Sequence, residues 1–200
     1  MAGLKATFKV ATNATIDTTG AKQPDGTRIW DLTPALSGDH SVIVETLPLD
    51  GAWYAADFAG ASYATRLSDS ATLLGVFEVT EKGLFLRGVV SPEDGATATK
   101  LTYDPMVKVL AFPMKKGDTW QTTATVSGTA SGFAAYYTET YKSEVDAAGT
   151  AKTPFSDFSV LRVATDLTRT LGVVVTTTRT FAFSRSNRSD SAPRTTSVGQ

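Results

Sequence analysis

A single histidine, His40, stands in the run Gly38-Asp39-His40-Ser41, so any mechanism that needs an imidazole must run through it. Its neighbours Asp39 and Ser41 do not complete a triad, because in extended chain they point to the face opposite His40. Short polar residues beside glycine belong to turns, and His40 is expected to be an exposed turn residue at the start of a strand. The run Gly60-Ala61-Ser62-Tyr63-Ala64 differs from the Gly-x-Ser-x-Gly nucleophile elbow in its last residue. That elbow requires a strand, a strained turn and then a helix. No helical pattern follows Ser62, and the only histidine precedes it, against the Ser, Asp, His order of that fold.

Carboxylates are scattered, and most stand beside Gly, Pro or Ser, where short acidic side chains bond turn backbone. No Asp-x-Asp-x-Asp-Gly loop with a closing Glu is present, which excludes an EF-hand. A glycosidase pair would have to be assembled in three dimensions. Neither Gly-x-x-x-x-Gly-Lys-Ser/Thr nor Gly-x-Gly-x-x-Gly occurs, so nucleotide phosphates lack their usual cradle. With no cysteine in the chain, thiolate nucleophiles, disulfides and cysteine-based metal sites are excluded. The expectation is therefore no catalytic residue, no metal site and no cofactor.

Aromatic residues are the remaining lead. Trp53, Tyr54 and Phe58 cluster with Tyr63, and Phe133, Tyr136, Tyr137 and Tyr141 form a second group. On a strand Phe133, Tyr137 and Tyr141 share one face and Tyr136 takes the other. Such a row fills a core as a cross-strand ladder. If the sheet is curved and incompletely covered, Trp53, Tyr54, Phe58, Phe133, Tyr137 and Tyr141 would instead line an apolar concavity able to hold a lipid chain.

The elements that must position these residues are strands. Leu4, Ala6, Phe8 and Val10 alternate with polar residues, and the same period of two recurs along the chain. It marks strands at 28–32, 41–47, 73–79, 84–90, 101–103, 107–112, 119–126, 133–145, 158–170 and 173–183. The Glu81-Lys82-Gly83 turn joins the clearest hairpin. Pro105 marks a break, a bulge or an edge, and a turn is expected over 146–154. The Ala-rich stretch 52–64 fits either helix or strand, with strand favoured. Strands of ten or more residues exceed the usual five or six, so they should curl. The fold class is all-β, a curved antiparallel meander forming a half-barrel or a two-sheet sandwich, with strand above about 35% and helix below about 15%.

Composition agrees. About one residue in six is threonine, hydrophobic residues make up 42% and charged residues 20%, the balance of a globular domain rich in strand. A net charge of −1 supplies no field to attract nucleic acid, and no run of roughly 18 apolar residues exists to span a membrane. Residues 1–183 read as one β-rich domain. From Ser184 the chain turns to Ser, Arg and Asn with almost nothing to bury, so 184–200 reads as a disordered tail. Its Arg185, Arg188 and Arg194 are solvated charges rather than a phosphate contact.

The segment from Tyr103 through Pro113-Met114-Lys115-Lys116-Gly117-Asp118-Thr119-Trp120, followed by Thr-rich strands including 166–170 and 178–181, resembles a family of uncharacterised bacterial exported proteins and lipoproteins. These carry a Pro-x-x-x-Gly-x-x-Trp element ahead of a β-meander. The resemblance implies export to the periplasm, the outer membrane or the exterior, with the signal sequence and the lipidated cysteine lying outside this chain. Read physically, Pro113 ends ladder pairing, Gly117 permits a positive φ, and Trp120 is expected to anchor in the core. The function expected is that of a non-catalytic envelope or surface protein with a structural or protein-contact role. The alternatives are a binding module for an apolar small molecule or lipid, and a carboxylate-based hydrolase.

Overall fold

A computed structural model describes residues 2–69 and 72–185. About 60% of these residues are strand and 2% helical, as the alternation requires. In chain order the strands are β1 (Lys5–Val10), β2 (Ala21–Lys22), β3 (Arg28–Asp31), β4 (His40–Glu45), β5 (Tyr63–Arg66), β6 (Leu74–Thr80) and β7 (Gly83–Val90). They continue as β8 (Lys100–Ala111), β9 (Thr119–Ala130), β10 (Phe133–Lys152), β11 (Asp157–Leu171) and β12 (Val174–Arg185). Strands β5 to β12 form one antiparallel meander that does not close into a barrel, and β1 pairs with β4 as a separate two-stranded sheet. Among the described residues no helix is long and apolar enough to cross a membrane.

The stretch 52–64 is not the strand that its alternation favours. It forms a short 3-10 turn, Ala55–Phe58, and strand begins only at Tyr63. Gly88 explains the choice. A side chain there would collide with the Phe58 ring, so the bare backbone of β7 lets the turn lie flat on the sheet. Tyr54 and Phe58, each 2% exposed, then pack with Ala64, Leu74, Val76 and Val90.

At the other end of the same face, Trp30 caps Ala147, Ala151 and Val160. Trp30 is fully buried, and its indole N–H donates to the Thr18 carbonyl at 3.0 Å. Strand β3 joins the sheet parallel to the end of β10, pairing Arg28 with Gly149 and Trp30 with Ala151. This parallel ladder is an addition to the antiparallel meander. Gly149 makes it possible, since a Cβ there would strike the Arg28 carbonyl.

The turn expected over 146–154 is also replaced, because β10 runs on through Asp146 to Lys152. Asp146 forms a bulge between Val145 and Ala147 in the ladder with β11. Its carboxylate accepts two bonds from Arg162, Nε at 2.9 Å and Nη2 at 2.7 Å, so the acid is satisfied within the sheet. The Arg162 guanidinium also lies over the rings of Trp30 and Phe181 and bonds the Thr18 carbonyl. Pro105 lies in a bulge, one of the readings expected of it, within a single continuous β8 rather than between two strands. Arg87 of β7 stands opposite the four residues Tyr103 to Met106, and β8 pairs with β9 only from Lys100 to Asp104. The β12 strand extends to Arg185, two residues past the expected domain boundary, and the rest of the expected tail lies outside the described residues.

Since Trp30 is the main lid on this end of the sheet, Trp30→Ala should cost about 3–5 kcal/mol, as large aromatic truncations do. Urea denaturation would measure it; a loss below about 1 kcal/mol would mean that the segment before β3 does not hold the cap.

Candidate functional site

The most unusual side chain of the sheet is Glu139, fully buried near the middle of β10. Strand register places Tyr137, Glu139 and Tyr141 on one face, with Ala124 of β9 on one side of Glu139 and Arg169 of β11 on the other. Arg169 Nε donates to Oε1 at 2.7 Å, and the Tyr141 hydroxyl donates to Oε2 at 2.6 Å. The Arg169 guanidinium also stacks over the Tyr137 ring at 5.0 Å. Ala124, small and buried, leaves room for Tyr103 of β8 and Tyr141 of β10 to reach across β9 into one cluster with Leu86 and Val107.

Burial pushes the Tyr103 and Tyr141 hydroxyls well above the ordinary phenol range, and the charge of Glu139 adds to it. Tyr137 is raised by the same causes. For Arg169, burial works against the charge, but the bond and the charge of Glu139 outweigh it and raise the pKa. Each group thus keeps the form that completes the network, a charged guanidinium with neutral phenols. Glu139 has both oxygens bonded and its side chain is fully buried, so its bonds tie β10 to β11, while Tyr103 of β8 packs against the same cluster.

The six aromatic candidates are not brought together. Trp53, Tyr54 and Phe58 pack on the face carrying the 3-10 turn, where the Trp53 indole donates to the Ser91 carbonyl at 3.1 Å. Tyr137 and Tyr141 lie on the opposite face, packed with Val126 and Val107 respectively. Phe133 shares their parity but sits at the β9–β10 tip, 78% exposed. Glu139 was not among the sequence candidates. Its signal was its parity, since a carboxylate between Tyr137 and Tyr141 on an apolar strand face needs a buried partner.

Ser62 is structural: its Oγ accepts the Val79 N–H at 2.9 Å. Trp120 is half-buried rather than an enclosed anchor. It spans the gap where β8 has left β9, its indole donating to the Lys108 carbonyl at 2.9 Å. Next to it the Lys108 N–H donates to Thr122 Oγ1 at 3.3 Å, so side chains replace ladder bonds there. Among the described residues no group of three or more His, Asp or Glu is placed to hold a metal ion.

A surface groove of about 820 Å³ lies at the β3 end of the sheet. One wall is the loop Phe112 to Lys116 and the other is the turn Asp25 to Thr27. The floor is made by cross-strand neighbours of β10, β11 and β12, among them Ala148, Leu161 and Ser184. A second groove, about 470 Å³, is bordered by Trp120, Lys142 and Arg179. None of the six aromatic candidates lines either groove. No protein-family model, curated protein or solved structure matches the chain.

Removing the guanidinium should leave the Glu139 carboxylate uncompensated. Arg169→Met is expected to cost about 1–3 kcal/mol, less than for a fully buried pair because Arg169 is half exposed. The double variant Glu139→Met/Arg169→Met should recover part of that loss, and strict additivity in a denaturation cycle would refute the coupling.

His40 is exposed, as expected, and its Nε2 lies 2.7 Å from Asp69 Oδ2. The bond to Asp69, then the Gly38 carbonyl, raises its pKa above 6.5. The folded value exceeds the unfolded one, so this pair contributes stability below about pH 6.5. The contribution is lost as pH rises through the folded value. An NMR titration should show the His40 midpoint falling in Asp69→Asn; an unchanged midpoint would mean that the contact does not form in solution.

Proposed function

We propose that the protein is a non-catalytic contact protein of the cell envelope or surface, and that a partner adds a strand to the edge of β12. The observation that carries this reading is the edge itself. Strand β12 is twelve residues long and contains no proline, and among the described residues it pairs with β11 alone. Residues 174–180 are exposed on both faces. Natural sheets shorten, cover or interrupt edges of this kind because the unpaired N–H and C=O groups recruit other chains. The opposite edge follows that rule, since β5 has four residues and Ala64 is bridged to Leu47. A long open edge is the geometry of strand addition, in which backbone bonds give affinity and alternate side chains give selectivity.

The tip of the same hairpin adds apolar contact area, with Leu171, Val173, Val174 and Val175 all exposed. The sealed state of Glu139 supports a non-catalytic role, as does the exposure of His40, whose side-chain partner is Asp69. Packing of Tyr137 and Tyr141 into the sheet weighs against a lipid held among the aromatic candidates. Export rests on the Pro113 to Trp120 resemblance.

A photo-crosslinking amino acid at Thr176 or Thr178, in cells making the protein, should give a discrete adduct larger than the chain. The same probe at Lys82, in the distant β6–β7 turn, should give none. Equal labelling at all three positions, no adduct at any, or an adduct of twice the chain mass would refute partner addition at this edge.

A further inference from the structure

We propose that the groove beneath the Phe112 to Lys116 loop is a binding site for an amphiphilic anion, an acyl chain ending in a phosphate or carboxylate. The inference goes beyond strand addition at β12 and does not rest on it. Its volume of about 820 Å³ falls within the roughly 300–1,000 Å³ of small-molecule sites.

Both walls are fixed before any ligand arrives. The Gly117 N–H donates to the Val145 carbonyl at 2.8 Å, and the Val145 N–H donates to the Asp118 carbonyl at 2.9 Å. Asp118 Oδ2 also accepts the Lys115 N–H at 2.9 Å, so the loop is stapled to β10 from both directions. Across the groove, Asp25 Oδ1 accepts the Thr27 N–H at 2.9 Å and the Thr27 hydroxyl at 2.7 Å, closing its turn. A pre-formed site loses less ordering entropy on binding.

The lining divides by chemistry. Phe112, Pro113 and Met114 form an apolar overhang, Ala148 and Leu161 lie on the floor among the hydroxyls of Thr150, Ser159 and Ser184, and Arg185 also lines the groove. Phe112 is 39% exposed although it is a large apolar side chain. Lys115 and Lys116 follow directly on the same loop at the groove's border, and among the described residues neither forms an ion pair with a carboxylate. The Asp25 carboxylate on the far wall is engaged by its own turn. An apolar surface continuous with two such ammonium groups is complementary to a chain with an anionic head. A bare anion would leave the overhang uncovered, and a neutral chain would leave the lysines without a partner.

The test is calorimetric titration of the full chain with dodecyl phosphate below its micellar concentration, with inorganic phosphate and dodecanol as separate arms. Dodecyl phosphate should bind with unit stoichiometry, and each of the other two at least about ten-fold more weakly. Lys115→Gln/Lys116→Gln should weaken dodecyl phosphate about ten-fold or more, and Ala148→Phe, which fills the floor at a half-exposed position, should abolish binding. The lysine variant changes only exposed side chains, so its result stands even if Ala148→Phe misfolds. Inorganic phosphate binding as tightly as dodecyl phosphate would make this a plain anion site and overturn the proposal. Unchanged binding by the lysine variant, or no binding by the wild type, would overturn it as well. Crosslinking at Thr176 is unaffected by any of these results, so the two proposals fail separately.

Discussion

From Thr138 to Lys152 the backbone of β10 runs through the sheet with neighbours to find on both edges, and most of the architecture answers that requirement. Strand β11 covers one edge from Thr138 to Lys152. The other edge is shared, with β9 pairing Phe133 to Glu144 and β3 pairing Gly149 to Lys152. Between them the Val145 N–H and carbonyl bond Asp118 and Gly117, so the loop carrying the Pro-x-x-x-Gly-x-x-Trp element fills the gap in the ladder. Unpaired buried backbone is expensive, and this arrangement explains why a short distant strand and a loop both dock on β10.

Charge follows the same strand. Glu139 and Asp146 lie on opposite faces of β10, and each is neutralised by an arginine of β11, Arg169 and Arg162 respectively. The two arginines also lie over aromatic rings, Tyr137 for one and Trp30 with Phe181 for the other. A buried ion pair of this kind adds little net stability against an apolar substitute, but it penalises every wrong register of the two strands. In a Thr-rich meander whose strands resemble one another, fixed register is the more valuable property.

Period-two alternation made the strands legible because it reports which face is wet, and that signal survives wherever one face is covered. It failed where tertiary contacts decided the outcome. The 3-10 turn at Ala55–Phe58 depends on the bare backbone of Gly88, far away in sequence, and the continuation of β10 through Asp146 depends on Arg162. The candidate site was legible only in part. Tyr137 and Tyr141 were readable as neighbours, whereas Glu139 required reading a charged residue by its strand parity. The groove was not legible at all, because its walls come from turns some 90 residues apart in the chain and local pattern carries no information on which turns meet.

The bulge at Asp146 ties these features together. Up to Val145 the odd-numbered residues of β10 share the face of Tyr137, Glu139 and Tyr141. One inserted residue reverses the parity, so Ala147 and Ala151 now pack against Trp30 while Ala148 and Thr150 line the groove. Without it, β3 would meet Thr150 where Ala151 now stands, and the Trp30 cap would close over a hydroxyl. The Arg162–Asp146 pair holds the bulge, and the bulge both admits the cap on one face and places the small residues of the groove floor on the other. The acid that reads in sequence as a turn former is therefore the residue that lets one long strand serve a core on each of its faces.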